Sequence, residues 1–373
     1  MEYFTEQATM TRTSYPLLLR FQGCLLGAVL GAWRGSQGGW TGSALQDESP
    51  AILSSACGQL SQRLVQSTHS LVAARSDPSN DRTVLSTFPL PTDAAIAGLL
   101  PWLTETTPPL EGAIGLLPYL LYGHESPRAL NHILERILPT LRPSHCSLFG
   151  LVGGGLSLAL QNSESPKTAL AQFLRPWLMA FPVMEKRDQA QADHPQGESG
   201  FNLSHISTLE DWLTQQRSLE FVQQWLQTRS QMPKDAQQVL QVLYCFLSTP
   251  QDVGTVVDRA VRASDHPTLT GALAGALGGA YNGVMGLPIA WRAWGRTANS
   301  VRANRILEDT RLEDTRLEDG GLADRILNEP QSEWLATQLL LAWAGIDPQL
   351  RAKVTAPSVA APRSLKVRSR NRP

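Results

Sequence analysis

Two short polar stretches of the chain hold residue types that could do chemistry. Asp47 and Glu48 stand side by side just before one predicted helix, and Asp265 and His266 stand just before another. Carboxylate oxygens are ligands for hard divalent cations, and an imidazole binds transition ions. Acids at the start of a helix are also ordinary helix N-terminal chemistry, because they offset the positive end of the helix dipole. The residue types alone leave both interpretations open.

The elements that must position these residues are predicted to be helices. Apolar residues recur at helical spacing along most of the chain, and runs of alternating Val, Ile and Thr typical of strands are scarce. Proline and glycine signals divide the pattern. The predicted fold is therefore all-α, with helices at 16–33, 51–74, 92–103, 109–122, 126–140, 146–161, 166–180, 208–229, 234–248, 252–263, 270–284 and 331–344.

Two of the predicted helices carry glycine at every fourth residue. The first segment runs from Gly23 to Gly35 and the second from Gly271 to Gly283, about 250 residues further on. Residues four apart are neighbours on a helix surface, so each segment presents a stripe of bare backbone. Glycine costs a helix interior roughly 1 kcal/mol relative to alanine. We therefore expect both helices to pack very closely against another part of the molecule.

Composition favours a helical protein of a reducing compartment. Hydrophobic residues make up 42% of the 373 residues and charged residues 17%, so a sizeable core can form. The four cysteines have no metal-binding spacing, and we expect them to be buried in a cytoplasmic protein (Cys24, Cys57, Cys146 and Cys245). The longest apolar runs are about 13 residues, shorter than the roughly 20 that a membrane span needs, so no span is predicted.

Domain boundaries follow shifts in composition. We predict an N-terminal extension at 1–15, one helical domain at 16–347 with inserts near 186–207 and 304–325, and a disordered tail at 348–373. The second insert contains repeats of Leu-Glu-Asp-Thr-Arg, whose period of five fits neither helix nor strand. The tail holds seven basic residues and no acid, so it is either simply solvated or contacts an acidic partner or nucleic acid.

The glycine segments resemble those of the ADP-ribosylglycohydrolase family. The family's first helix reads GCLLGxAxGDALG, and this chain has GCLLGAVLGAWRG from Gly23. The family's last signature ends in AGALLGAxYG and is followed by an IPxxW turn. Here ALAGALGGAYNG begins at Ala272, and Leu287-Pro-Ile-Ala-Trp291 follows. The resemblance covers about 18–345 and implies a single orthogonal helical bundle with two Mg²⁺ or Mn²⁺ ions that acts on ADP-ribosylated substrates.

The positions that carry the chemistry of the family differ in this chain. The first metal motif of the family, Thr/Ser-Asp-Asp-Thr, is matched by Gln46-Asp-Glu-Ser, and the aspartate of its GDALG stretch is Ala32. Counting back from Gly275, the two aspartates of the second metal motif fall on His266 and Thr268, and its threonine falls on Leu269. Two adjacent divalent ions need several carboxylates to offset about four positive charges. The resemblance thus predicts that the dinuclear site is not intact here.

The sequence leaves three alternative functions open. The favoured one is a pseudoenzyme, a non-catalytic binding or regulatory module that recognises ADP-ribose or an ADP-ribosylated protein and binds no ion or one. In the second, Asp47 and Glu48 are catalytic acids of an active hydrolase, and a mixed metal site forms from Asp47, Glu48, Asp265 and His266. In the third, the chain is an unrelated helical scaffold whose glycine helices match the family by composition.

Overall fold

The computed structural model describes residues 16–37, 50–76, 103, 107–127, 131, 143–161, 170, 174–177, 203–228, 232–294, 327 and 329–344. Every regular element in these ranges is helical, which confirms the predicted all-α class. The predicted extension, the repeat insert, the basic tail and nearly all of 92–103 lie outside the described residues, as do Asp47 and Glu48. None of the described helices is both long and apolar enough to cross a membrane.

We label the helices in chain order. They are α1 (Leu17–Ser36), α2 (Pro50–Ser76), α3 (Pro109–Gly115), α4 (Leu117–Tyr122), α5 (Pro143–Gln161), α6 (Leu203–Thr214), α7 (Leu219–Thr228), α8 (Lys234–Ser248), α9 (Val253–Arg262), α10 (Pro267–Asn282) and α11 (Glu329–Ala344). A 3₁₀ turn (Val284–Gly286) follows α10, and a further short helix occupies 289–294.

The centre of the molecule is formed by α1 and α10, which carry the two glycine segments and pack against each other. A Cβ placed on Gly23, Gly27 or Gly31 would overlap the backbone carbonyl oxygen of Gly279, Gly275 or Gly271, respectively. Residue numbers rise along one helix as they fall along the other, so the pair is antiparallel. The close packing predicted from the glycine spacing is confirmed, and the partner of each segment is the other segment.

These contacts are reciprocal, and we call the set the glycine ladder. A Cβ on Gly271, Gly275 or Gly279 of α10 would likewise overlap the carbonyl oxygen of its partner glycine on α1. In glycine a hydrogen takes that place, so each Cα–H points at a carbonyl oxygen of the facing helix. Such contacts contribute about 0.5–1 kcal/mol each. The ladder comprises Gly23, Gly27, Gly31 and Gly35 on α1 and Gly271, Gly275 and Gly279 on α10.

The remaining described helices surround this pair with an apolar layer. Almost every residue of α1 from Arg20 to Ala32 and of α10 from Thr270 to Tyr281 is buried. The buried side chains form one continuous cluster that includes residues of α2, α3, α4, α5, α8, α9 and α11. Cys24, Cys57 and Cys245 are among them, as expected, and none of the three forms a disulfide.

Several predicted helix boundaries were wrong for local reasons. The predicted helix at 109–122 breaks at Leu116, because Pro118 lacks the amide that would continue the hydrogen-bond pattern. The predicted helix at 208–229 is two helices, and Gln216 between them has a left-handed backbone with φ 50°. The first of them already begins at Leu203, inside the predicted insert.

The two helices of the glycine ladder also extend beyond their predicted limits. The helix α1 continues beyond its predicted end at residue 33 to Ser36, which lets Gly35 meet α10. The helix α10 begins at Pro267 rather than near residue 270. Proline is well suited to the first helical position, because its missing amide would have no partner there. His266 stands at the N-terminal cap, and its side chain makes no capping hydrogen bond.

Candidate functional site

The end of α1 meets the beginning of α10. A Cβ on Gly35 would overlap the carbonyl oxygen of Pro267 and would lie 2.8 Å from the Cα of Thr268. The glycine ladder therefore reaches the very first turn of α10. This is the turn that follows Asp265 and His266, so the end of α1 lies beside two of the four predicted site residues.

The helix α2 reaches the same end of the molecule. Ser36, the last residue of α1, donates a hydrogen bond from its hydroxyl to the carbonyl of Trp33 at 2.8 Å. Ser36 also lies close enough to the thiol of Cys57, two turns into α2, to interact with it. Burial raises the pKa of Cys57 to about 12, so the thiol is neutral at physiological pH. The end of α1 therefore contacts both the helix after Asp265–His266 and the helix after Asp47–Glu48.

Asp47 and Glu48 belong to the segment that joins α1 to α2 and lie outside the described residues. That segment starts after Gln37 and ends at Pro50. Their proximity to Asp265 and His266 stays a prediction.

Asp265 and His266 are both exposed at the start of α10. The backbone of His266 is well fixed. Its N–H donates to the Ser264 hydroxyl at 2.9 Å, and its carbonyl accepts from the Thr270 N–H and hydroxyl, each at 3.1 Å. An exposed carboxylate and an exposed imidazole next to each other are two candidate ligands on a rigid helix start.

The first turn of α10 offers few other oxygen ligands. It contains no acidic residue, and Leu269 is partly buried against the apolar core. Within the described ranges, no three His, Cys, Asp or Glu side chains are grouped so that they could hold a metal ion. A near-octahedral Mg²⁺ site needs several oxygen ligands. Asp265 and His266 therefore do not fit such an ion by themselves, and a metal at this end would also need Asp47 and Glu48.

Two interactions at this end of α1 were not predicted. The Arg34 guanidinium donates from Nε to the Asp258 carboxylate of α9 at 2.8 Å. The Trp33 ring stacks on the Trp294 ring, with centroids 4.1 Å apart and planes at 22°. Arg34 lies beyond the predicted end of the first helix at residue 33, and an ion pair between residues 224 positions apart leaves no signal in a single sequence.

Comparison with known protein families supports the resemblance. The model of the ADP-ribosylglycohydrolase family matches residues 143–334, about half of the chain. The chain belongs to this family. Its members are metal-dependent and act on ADP-ribosylated substrates. A search of curated proteins found no match to the chain.

One helix of the matched range packs against a helix that lies outside this range. The range includes α10, yet three of the glycines that face α10 are Gly23, Gly27 and Gly31 of α1. Without α1, the backbone stripe of α10 would be exposed to water. In this chain the structural unit of the family therefore includes α1, more than 100 residues before the matched range.

Proposed function

We propose that this member of the ADP-ribosylglycohydrolase family is a non-catalytic binding or regulatory module. In this proposal it has lost the dinuclear metal site but recognises ADP-ribose or an ADP-ribosylated protein at the end of the molecule where α1, α2 and α10 meet. The alternative is an active, metal-dependent hydrolase that uses Asp47 and Glu48.

The first turn of α10 carries the proposal. The family places two aspartates and a threonine here, and this chain has His266, Thr268 and Leu269. The Leu269 side chain packs towards the apolar core and has no oxygen to offer. Two divalent ions close together repel each other strongly unless carboxylates offset their charge. The substituted turn removes that charge from one side of the site.

The retained architecture supports the binding part of the proposal. The glycine ladder extends to Gly35 and Pro267, so the framework that holds this end of the family fold is complete. This contact fixes how the ends of α1 and α10 lie against each other, which a ligand surface at this end requires. We infer that a ligand surface is kept while the metal chemistry is lost.

Two measurements on the full chain test this proposal. Calorimetric titration with ADP-ribose is expected to give binding that is unchanged by Mg²⁺, Mn²⁺ or a chelator. Incubation with ADP-ribosyl-arginine and ADP-ribosyl-serine peptides is expected to release no ADP-ribose with any of these ions. The matched control is Asp211→Ala, which removes an exposed carboxylate far along the chain and should change neither result.

Other outcomes would decide for the alternatives. Release of ADP-ribose that requires Mn²⁺ or Mg²⁺ and is abolished by Asp47→Ala, but not by Asp211→Ala, would establish the active hydrolase. Absence of both binding and release would favour a scaffold role. The predicted cytoplasmic location and the acidic or nucleic-acid partner of the basic tail stay separate predictions.

A further inference from the structure

The other end of α1 carries a buried cation. Arg20 lies in the first turn of α1 and is only 4% exposed. Its Nη1 donates a hydrogen bond to the Leu160 carbonyl near the end of α5. The last four carbonyls of a helix have no partner within the helix, and a cation there is favoured by the helix dipole. This contact fixes one side of the guanidinium.

The opposite side of the same guanidinium has no partner among the described residues. Its two nitrogens, Nε and Nη2 of Arg20, are buried and make no hydrogen bond to that part of the chain. Their N–H groups lie along one edge of the planar group and point in parallel. That edge binds the two oxygens of a carboxylate or phosphate in a bidentate manner. The Leu160 contact thus uses only Nη1. The edge formed by Nε and Nη2, which is suited to an oxyanion, is left unpaired among the described residues.

The charge of Arg20 is also uncompensated. Among the described residues, ion pairs to carboxylates are made by Arg34, Arg63 and Arg292 but not by Arg20. Burial lowers the pKa of the Arg20 guanidinium, and an electrostatic interaction with Tyr281 of α10 opposes this effect. A buried charge without a counter-charge is costly, so such groups are normally paired.

We propose that Arg20 is the anchor of an oxyanion-binding site, in which a phosphate or carboxylate group accepts hydrogen bonds from Nε and Nη2. The side chain contacts the end of α5 and is close enough to Tyr281, near the end of α10, for an electrostatic interaction. Arg20 and Gly35 are 15 residues apart on one helix, which corresponds to about 22 Å. The site is therefore separate from the one at the start of α10 and does not depend on the proposed function.

Thermal unfolding at constant ionic strength tests this proposal. Inorganic phosphate is titrated into the full chain in a zwitterionic buffer, with choline chloride holding the ionic strength fixed so that general screening stays the same. The wild-type melting temperature is expected to rise and then saturate, because an anion that binds only the folded state stabilises it. A parallel titration with acetate distinguishes a phosphate site from a carboxylate site.

Variants at Arg20 assign the effect. Arg20→Met should abolish the saturable rise, and Arg20→Lys should weaken the apparent phosphate affinity roughly tenfold, because a lysine has charge but no bidentate edge. The matched control is Arg34→Met, which removes an arginine of the same helix already paired with Asp258. It should keep the full phosphate response.

The proposal is overturned if neither anion gives a saturable rise in wild type, or if Arg20→Lys responds like wild type. Should Arg20→Met fail to fold, the comparison of Arg20→Lys with Arg34→Met still decides. An ADP-ribose titration of Arg20→Lys keeps the two proposals apart. Unchanged ADP-ribose binding together with weakened phosphate binding would confirm two independent sites.

Discussion

Two groups of glycines in this molecule allow close packing in different ways. In the glycine ladder, the space that a Cβ would need is filled by backbone carbonyls of the facing helix. In α5, the same space at Gly153, Gly154 and Gly155 is filled by side chains, namely the Trp177 ring and the methyl groups of Leu174 and Leu243. One contact joins two rigid helices, and the other joins a helix to groups that can rotate.

The difference explains which glycines have no substitute. A backbone carbonyl in a helix cannot move without moving the helix, whereas a leucine methyl can change rotamer. Close packing in protein interiors makes even one added methyl group costly where neighbours cannot yield. The ladder therefore fixes the spacing of α1 and α10, while the glycines of α5 only shape a pocket for bulky side chains.

The largest effect is expected for Gly31→Ala. The added methyl would overlap the Gly271 carbonyl oxygen and approach the Cα of Gly275 to 3.2 Å, and both are backbone atoms. The helices must separate, which also loosens the neighbouring glycine contacts of the ladder. We expect the free energy of unfolding to fall by roughly 3 kcal/mol or more, despite the roughly 1 kcal/mol that alanine gains in helix propensity. Urea unfolding followed by circular dichroism measures the change.

A double variant sharpens this prediction. Once Gly31→Ala has separated the helices, Gly271→Ala should add much less than its own single effect, because both methyl groups need the same separation. A loss below about 1 kcal/mol for Gly31→Ala would contradict a backbone-limited ladder. Strict additivity of the two variants would contradict a shared contact between Gly31 and Gly271.

The next effect concerns His124, which contacts both α1 of the glycine ladder and α5. Its ring packs edge-on against Phe21 of α1, with centroids 5.6 Å apart, and its carbonyl accepts from the Ser157 hydroxyl of α5. Burial lowers the pKa of His124 to about 4. The unfolded chain, with a histidine pKa near 6.5, then binds the extra proton between these values, so stability falls as pH drops from 6.5 towards 4.

The size of the His124 effect follows from the same shift. The loss over this pH range is on the order of 3 kcal/mol. Urea unfolding at several pH values measures this loss. In His124→Phe the free energy of unfolding should fall by about 3 kcal/mol less than in wild type over the same pH range. The titrations of all other groups are common to both proteins and cancel in this comparison. An equal slope in wild type and His124→Phe would show that the imidazole is accessible to water in the folded state.

The sequence predicted the ladder because its signal is a backbone property repeated at helical spacing. Bare positions every fourth residue can only serve close approach, whatever the neighbouring side chains are. The interactions of single polar side chains had no such signal. Arg20 contacts a backbone carbonyl 140 residues away, and Arg34 pairs with Asp258, which is 224 residues away. Any residue type can supply a carbonyl, so no motif marks that contact.

The candidate site was predictable only in part for the same reason. Its helices were expected, and the structure brings the end of α1 to both α2 and the start of α10. The start of α10 at Pro267 has a local signal, a proline suited to the first helical position. The register that brings Gly35 to Pro267 forms only after the two helices pair. Which side chains then face one another is set by that register and not by local propensity.

A smaller effect is expected for Gly153→Ala on α5. The new Cβ would lie 2.6 Å from Cζ3 of the Trp177 ring, so the ring must shift. We expect a loss of about 1–3 kcal/mol in the free energy of unfolding. Replacing the indole by the smaller ring in Trp177→Phe should recover part of this loss in a double-mutant cycle. No coupling in the cycle would mean that the α5 glycine is limited by backbone, as in the ladder.

The smallest effect should have the opposite sign. Gly58 lies inside α2, and among the described residues no atom lies within 4 Å of the place where its Cβ would be. Alanine there adds helix propensity without a clash, so Gly58→Ala should stabilise the fold by up to about 1 kcal/mol. Urea unfolding of Gly58→Ala and Gly31→Ala under the same conditions allows their free energies of unfolding to be compared directly. A destabilised Gly58→Ala would mean that a further group packs on this face of α2, and glycine substitutions could then no longer be ranked by the Cβ contacts alone.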